Sequence, residues 1–132
     1  MVRVERRTIP GEDGAFALRE LEDVIAAARE SDSRLSASAR LLLERAPSQL
    51  GIDSFVTEAV ELAATECLGR KPEVIGVAYW MDMALSNAVG VPTVAFGPSG
   101  EGAHADVEWV DLASLETCLQ VYLRAASLIC KV

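Results

Sequence analysis

The chain has 132 residues and a mass of 14.1 kDa, with 51% hydrophobic and 24% charged residues, which is the length of one ordinary domain. Composition this apolar can bury a core and excludes wholesale disorder, and no run of about 18 apolar residues exists to form a spanning helix. The net charge is −8, with 4 basic against 11 acidic side chains in residues 51–132, which excludes the basic face that nucleic acid or an anionic membrane requires.

The opening MVRVERRTIPGED places charge where a signal peptide needs an apolar stretch, so the expectation is a soluble cytoplasmic protein. Residues 2–8 alternate apolar and charged: Val2 and Val4 fall on one face, Arg3, Glu5 and Arg7 on the other. That pattern predicts a short half-buried strand ended by Pro10-Gly11. Residues 15–30 carry Phe16, Leu18, Leu21, Val24, Ile25 and Ala28 at helical spacing and predict a helix, broken by Ser31 to Ser33. Residues 35–43 alternate again, with Leu35, Ala37, Ala39, Leu41 and Leu43 on one face, and predict a second strand. Ala46-Pro47-Ser48 reads as a linker. A helix follows, capped by Asp53 or Ser54 and ended by Gly69, with Phe55, Val56, Ala59, Val60, Ala63 and Cys67 as its buried stripe.

The nearly continuous apolar run VIGVAYW, residues 74–80, predicts a strand covered on both faces. A short helix over residues 83–89 ends at Gly90, and VPTVAFG, residues 91–97, predicts another buried strand. Residues 98–106, PSGEGAHAD, form a Gly-rich loop. Asp111 then caps a helix to about Ile129 whose inner face is predicted to carry Leu112, Leu115, Cys118, Leu119, Tyr122 and Ala126. The order is β-α-β, a linker, then α-β-α-β-loop-α. The first piece, about 45 residues, is too small to fold alone and must pack on the rest of the chain, on a second copy, or on further sequence.

Few residues offer chemistry. Cys67, Cys118 and Cys130 form no CxxC pair, so a thiolate zinc site is not expected. Cys67 and Cys118 fall on apolar helix phases as small core residues. His104 is the only histidine. It sits in the Gly-rich loop near Gly100, Gly102, Asp106 and Glu108, after a predicted buried strand, where α/β sheets place their sites. It reads either as a metal-ligating imidazole or as an exposed loop histidine without a task. Asp82 reads either as a cap for the amides of Leu85 and Ser86 or as a ligand or substrate contact. Ser99-Gly100 could offer amides to an anion or be a plain turn, and Arg6 and Arg7 could hold a carboxylate or be exposed strand residues. Neither a Walker-type nor a dinucleotide-type glycine pattern is present.

The segments ERRTIPGED, LLLERAPSQL, LGRKPEV, YWMDMAL and GVPTVAFGPSGEGAHADVEWVDL, taken in this order, resemble the C-terminal half of the zinc aminoacylase-type metallopeptidases. That family contains acetylornithine deacetylase, succinyl-diaminopimelate desuccinylase, aminoacylase and glutamate carboxypeptidases. The resemblance covers essentially the whole chain and is most specific over residues 90–110. It implies an α/β fold: part of a zinc-peptidase-like catalytic domain over residues 48–132, preceded by half of an α+β lid domain, βαβ, over residues 1–47. In such relatives the lid often makes the dimer contact. By the same resemblance, His104 matches the last metal-ligand histidine of a two-zinc centre. Asp82 matches the acid of a turn near the substrate pocket, and Ser99, Gly100 and Gly102 match the pocket-lining loop.

The sequence also departs from the family pattern. Met81 and Met83 stand where small residues are usual, and the family's first metal histidine, bridging Asp, catalytic Glu and other carboxylate ligands have no counterpart here. A catalytic zinc needs about three protein ligands and an activated water. The expectation is therefore a truncated or split member of a family that hydrolyses N-acyl amino acids or small peptides, inactive alone, with no catalytic residue assigned in this chain. Its partner would be a second copy or an N-terminal half, and zinc would be the cofactor of the intact relatives. The other expectation is a non-catalytic, self-associating module built from the same fold.

Overall fold

A computed structural model describes residues 1–131. Four helices and one small hairpin follow in chain order: α1 (Gly14–Ser31), α2 (Phe55–Leu68), α3 (Met83–Ala88), β1 (Gly100–Glu101), β2 (Trp109–Val110) and α4 (Leu112–Cys130). The chain divides into two compact units. One comprises Met1–Gln49 with Val77–Ala84, and the other Leu50–Gly76 with Leu85–Val132. The mixture of helix and strand is compatible with an α/β fold.

In the first unit the helix forms where the 3.6-residue period predicts it. The Asp13 carboxylate caps α1 by accepting from the Phe16 amide at 2.7 Å, and Arg29 lies in the last turn, where a cation suits the helix dipole. Two flanking segments are tied to α1 by side chains rather than by a sheet. The Arg6 guanidinium reaches Glu12 and Glu20 and lies 5.7 Å from the centre of the Phe16 ring. The Gly14 amide donates to Glu44 Oε1 at 2.8 Å, and Arg29 donates to the Ala37 carbonyl, so residues 37–44 lie along the helix. The approach is close at Gly14: a Cβ there would come within 2.9 Å of the ends of the Glu44 and Leu41 side chains, which would have to shift. Arg7 donates to the Ala78 carbonyl, and the Arg45 guanidinium sits 5.8 Å from the Trp80 ring centre.

The second unit is built on α2 and α4. Ala63 and Ala64 meet Val121 and Ala125, all at 5% exposure or less, and Val60, Phe96 and Leu128 pack around them. Small residues on both helices permit this close approach. Arg124 clamps the pair from outside, donating to both carboxylate oxygens of Glu66 at 2.6 and 3.2 Å. Gly69 ends α2 in the left-handed conformation at φ +68, and Asp111 caps α4 through Ser114, both as the sequence predicts.

Four predicted strands, residues 2–8, 35–43, 74–80 and 91–97, are not strands in this structure. A strand exists only when its amides and carbonyls meet a neighbouring strand, and among the described residues these segments make no such ladder. Side chains take over some of the pairing. The Asn87 amide grips Thr93 from both ends, donating to its carbonyl at 3.0 Å and accepting from its N–H at 2.7 Å, as a neighbouring strand would. The Tyr122 hydroxyl donates to the Phe96 carbonyl, with the two rings edge to face at 6.2 Å. Val74, Ile75, Val77 and Tyr79, predicted to be covered, are exposed, as are Val2 and Val4.

Two further expectations are corrected. Cys67 is exposed, while Cys118 is buried as predicted. The packed face of α4 is Cys118, Val121 and Ala125, whereas Leu112, Leu115, Leu119 and Tyr122 are exposed. The helix is apolar over more than one face, so periodicity alone could not say which face meets α2.

Candidate metal-binding loop

The loop carrying His104 is the turn of the β1–β2 hairpin. Gly100 pairs with Val110 and Glu101 with Trp109, antiparallel. Two glycines make this closure possible. A Cβ at Gly100 would be driven into the Trp109 carbonyl oxygen, and one at Gly102 into that of Val107. Gly102 also has φ +81, which disfavours any side chain. The Ala105 amide then donates back to the Gly102 carbonyl at 2.8 Å, closing a tight turn around His104.

The base of the hairpin is locked to the start of α4. The Asp111 amide donates to the Ser99 carbonyl at 2.9 Å, and the Ser99 amide donates to Ser114 Oγ at 2.9 Å. Asp111 Oδ1 accepts from the Ser114 amide at 2.7 Å. The Ser99 amide is therefore engaged within the chain. Sequence reasoning assigned Asp111 as a cap but missed that Ser114 fastens the hairpin. The Asp-x-x-Ser spacing at a helix start was the available signal.

His104 itself stands at φ +65, a left-handed conformation that costs a non-glycine residue on the order of 1 kcal/mol. Its side chain is exposed, and no hydrogen bond of its ring is present among the described residues. Asp106 and Glu108 are exposed in the same turn. Among the described residues, no group of three or more His, Cys, Asp or Glu side chains is placed to hold a metal ion. One exposed imidazole does not meet the donor set of a catalytic zinc, so the residues present do not by themselves fit the group.

The other predicted site residues are distributed unequally. Ser99, Gly100, Gly102 and His104 share the hairpin, in the second compact unit, whereas Asp82 belongs to the first. Asp82 is exposed and caps neither Leu85 nor Ser86. The Ala84 amide donates instead to the Met81 carbonyl at 3.0 Å. Arg6 and Arg7, considered as carboxylate binders, are engaged by Glu12 and Glu20 and by the Ala78 carbonyl with Glu5. A cavity of about 120 Å³ lies against α2, lined by Val60, Glu61, Ile75 and Phe96 among others, and it does not include His104.

The family model described as peptidase family M20/M25/M40 matches residues 8–128, a span that takes in most of the ERRTIPGE segment, the hairpin and nearly all of α4. The chain belongs to that family. No curated protein and no solved structure matches it. Membership in the M20 family makes the chain a relative of metallopeptidases and amidohydrolases, enzymes that are generally zinc-dependent. No helix among the described residues is long and apolar enough to cross a membrane.

Proposed function

We propose that this chain supplies the His104-bearing part of an M20-type zinc amidohydrolase of the acylase or deacylase kind, whose substrates are N-acyl amino acids or small peptides. The carrying observation is the family match across residues 8–128, joined to a strained, outward-held histidine on a loop that two obligatory glycines and Ser114 fix in place. His104 would contribute one ligand to zinc. The remaining ligands and the general base would come from another stretch of polypeptide, so the chain alone would not cleave an amide. Asp82, Ser99, Gly100 and Gly102 would border the substrate pocket. Residues 1–47 would be half of a lid and residues 48–132 the end of the catalytic domain. Three unlinked cysteines suit a reducing, cytoplasmic setting.

Zinc content and hydrolysis of an N-acetyl amino acid by the purified chain test this reading. Weak, substoichiometric zinc and no turnover are expected. Adding a polypeptide that carries an xHxD segment and a Glu-Glu pair should restore zinc-dependent hydrolysis, and His104→Ala should abolish it. Stoichiometric zinc with unaided turnover by this chain would overturn the proposal. The alternative, a self-associating module without catalysis, is favoured by the uncovered face of α4.

A further inference from the structure

The chain contains one aspartate followed by glycine, Asp13–Gly14, and no asparagine followed by glycine. Such a pair can rearrange with no reagent beyond water. The Gly14 nitrogen attacks Cγ of the protonated Asp13 carboxyl. An N–Cγ bond forms, the amide proton is lost, and the carboxyl hydroxyl leaves as water. The five-membered imide then takes water back at either of its carbonyls. Opening at the main-chain carbonyl leaves isoaspartate, of unchanged composition, with the backbone rerouted through Cβ and Cγ. Glycine is the favourable neighbour, because no Cβ crowds the attacking nitrogen.

The fold leaves this pair in reach of water and yet holds it out of the reactive geometry. Asp13 is exposed, and as the N-cap of α1 it has ψ 175°. Ring closure requires the Gly14 nitrogen to eclipse Cβ of Asp13 about the Cα–C bond. At ψ 175° that nitrogen stands opposite the Asp13 nitrogen and is staggered to Cβ, so the bond must turn before it can react. Three hydrogen bonds resist the turn. Asp13 Oδ1 accepts from the Phe16 amide at 2.7 Å, the Asp13 carbonyl accepts from the Ala17 amide at 3.1 Å, and the Gly14 amide donates to Glu44 Oε1 at 2.8 Å. The first two belong to the start of the helix itself. The third comes from a carboxylate 30 residues away, on the segment that lies along α1, and Gly14 is buried beneath Glu44 and Leu41.

We propose that Asp13–Gly14 is a site of spontaneous backbone isomerisation to isoaspartate, and that Glu44 holds it in check while residues 37–44 stay docked on α1. The site goes beyond the hydrolase reading and does not depend on it, because neither His104 nor the hairpin loop takes part. Isomerisation moves the free carboxylate onto the α-carbon and lengthens the main chain by one carbon between the two residues. The cap on Phe16 is then lost, and the first turn of α1 frays. A detachment of residues 37–44 that would otherwise be reversible thus leaves a permanent mark.

Peptide mapping of the purified chain, aged in warm, mildly acidic buffer, tests the proposal, with isoaspartate at residue 13 identified by electron-transfer fragmentation. The folded wild type should isomerise there far more slowly than the same chain in denaturant. Glu44→Ala should speed the reaction roughly three- to tenfold, the factor by which losing one net hydrogen bond raises a local opening equilibrium. Glu44→Gln, whose side-chain oxygen can still accept from Gly14, should fall between the two and guards against misfolding of the alanine variant. Asp32–Ser33, where Asp32 is bonded to Arg34, should keep its wild-type rate in the same digests. A wild type that isomerises as fast folded as denatured would overturn the proposal. So would a Glu44→Ala chain that ages no faster than wild type, or Glu44 variants that both accelerate Asp32–Ser33 as much as residue 13.

Discussion

The hairpin that holds His104 depends on the absence of side chains at two positions, and that makes it sensitive to a single methyl group. Gly102→Ala would force a Cβ both into the left-handed region and into the Val107 carbonyl, so the turn must open. The left-handed conformation alone costs on the order of 1 kcal/mol, and the steric overlap adds to it. The expected outcome is faster amide exchange at Trp109 and Val110 with α2 and α4 unaffected, measurable by hydrogen exchange. At the same scale, Arg124 holds the Glu66 carboxyl below the usual carboxylate range. A carboxylate whose folded pKa is depressed stabilises the fold above its unfolded pKa, and that contribution disappears as pH falls through the folded value. The melting temperature of the wild type should therefore exceed that of Glu66→Gln near neutral pH. The two should converge in acid, below the usual carboxylate range. Tyr122 shows the opposite environment: partial burial, then the neighbouring Cys118, raise its phenol pKa, so the hydroxyl keeps its proton and its bond to the Phe96 carbonyl.

Among the elements, the α2–α4 pair carries the core, and its side chains are small. Val121 is the largest side chain that is completely buried, so its truncation removes the most. Val121→Ala should cost about 1–2 kcal/mol, and Ala63→Leu, which inserts volume where none is free, about 1–3 kcal/mol. Both are read from chemical denaturation. Asp111→Ala should cost about 1 kcal/mol through the lost cap. Because Ser114 also fastens Ser99, the same change should loosen the His104 hairpin, seen as exchange at Ser99 and Ala105. The helices themselves were legible in the sequence, since their 3.6-residue spacing, Asp111 and Gly69 are local signals that act within one segment; the Asp13 cap of α1 was a further such signal that the sequence reading did not use. The four missing strands were not, because alternation only marks a segment as able to join a sheet. Whether VIGVAYW or VPTVAFG finds a partner depends on chain elsewhere. Asn87 and Tyr122 took the place of such partners at Thr93 and Phe96, and no sequence period announces an amide that mimics a strand.

For the molecule as a whole, the dominant fact is how much apolar surface is left open. A 132-residue domain that folds completely should unfold with a heat-capacity change of at least about 1.6 kcal/mol/K, because that quantity follows the apolar area newly exposed. Here much of that area is already in contact with water, on Ile75, Val77 and Tyr79 in particular. The chain should therefore show a distinctly smaller change by calorimetry, with a denaturant dependence weaker than its length implies. A value at the full-domain level would mean that these side chains are covered in solution.

The sequence by itself determined where the helices start and stop, the acidic balance, and the motif order that marks an M20-family chain around His104. These are properties of residue type and near-neighbour spacing. The tertiary structure decided which face of α4 packs on α2, that Cys67 lies outside while Cys118 lies inside, and that Ser99, Gly100, Gly102 and His104 share one hairpin to which Asp82 does not belong. Those outcomes rest on contacts between residues far apart in the chain. A helix with two apolar faces, or a strand with no neighbour, does not contain the information about what will lie against it.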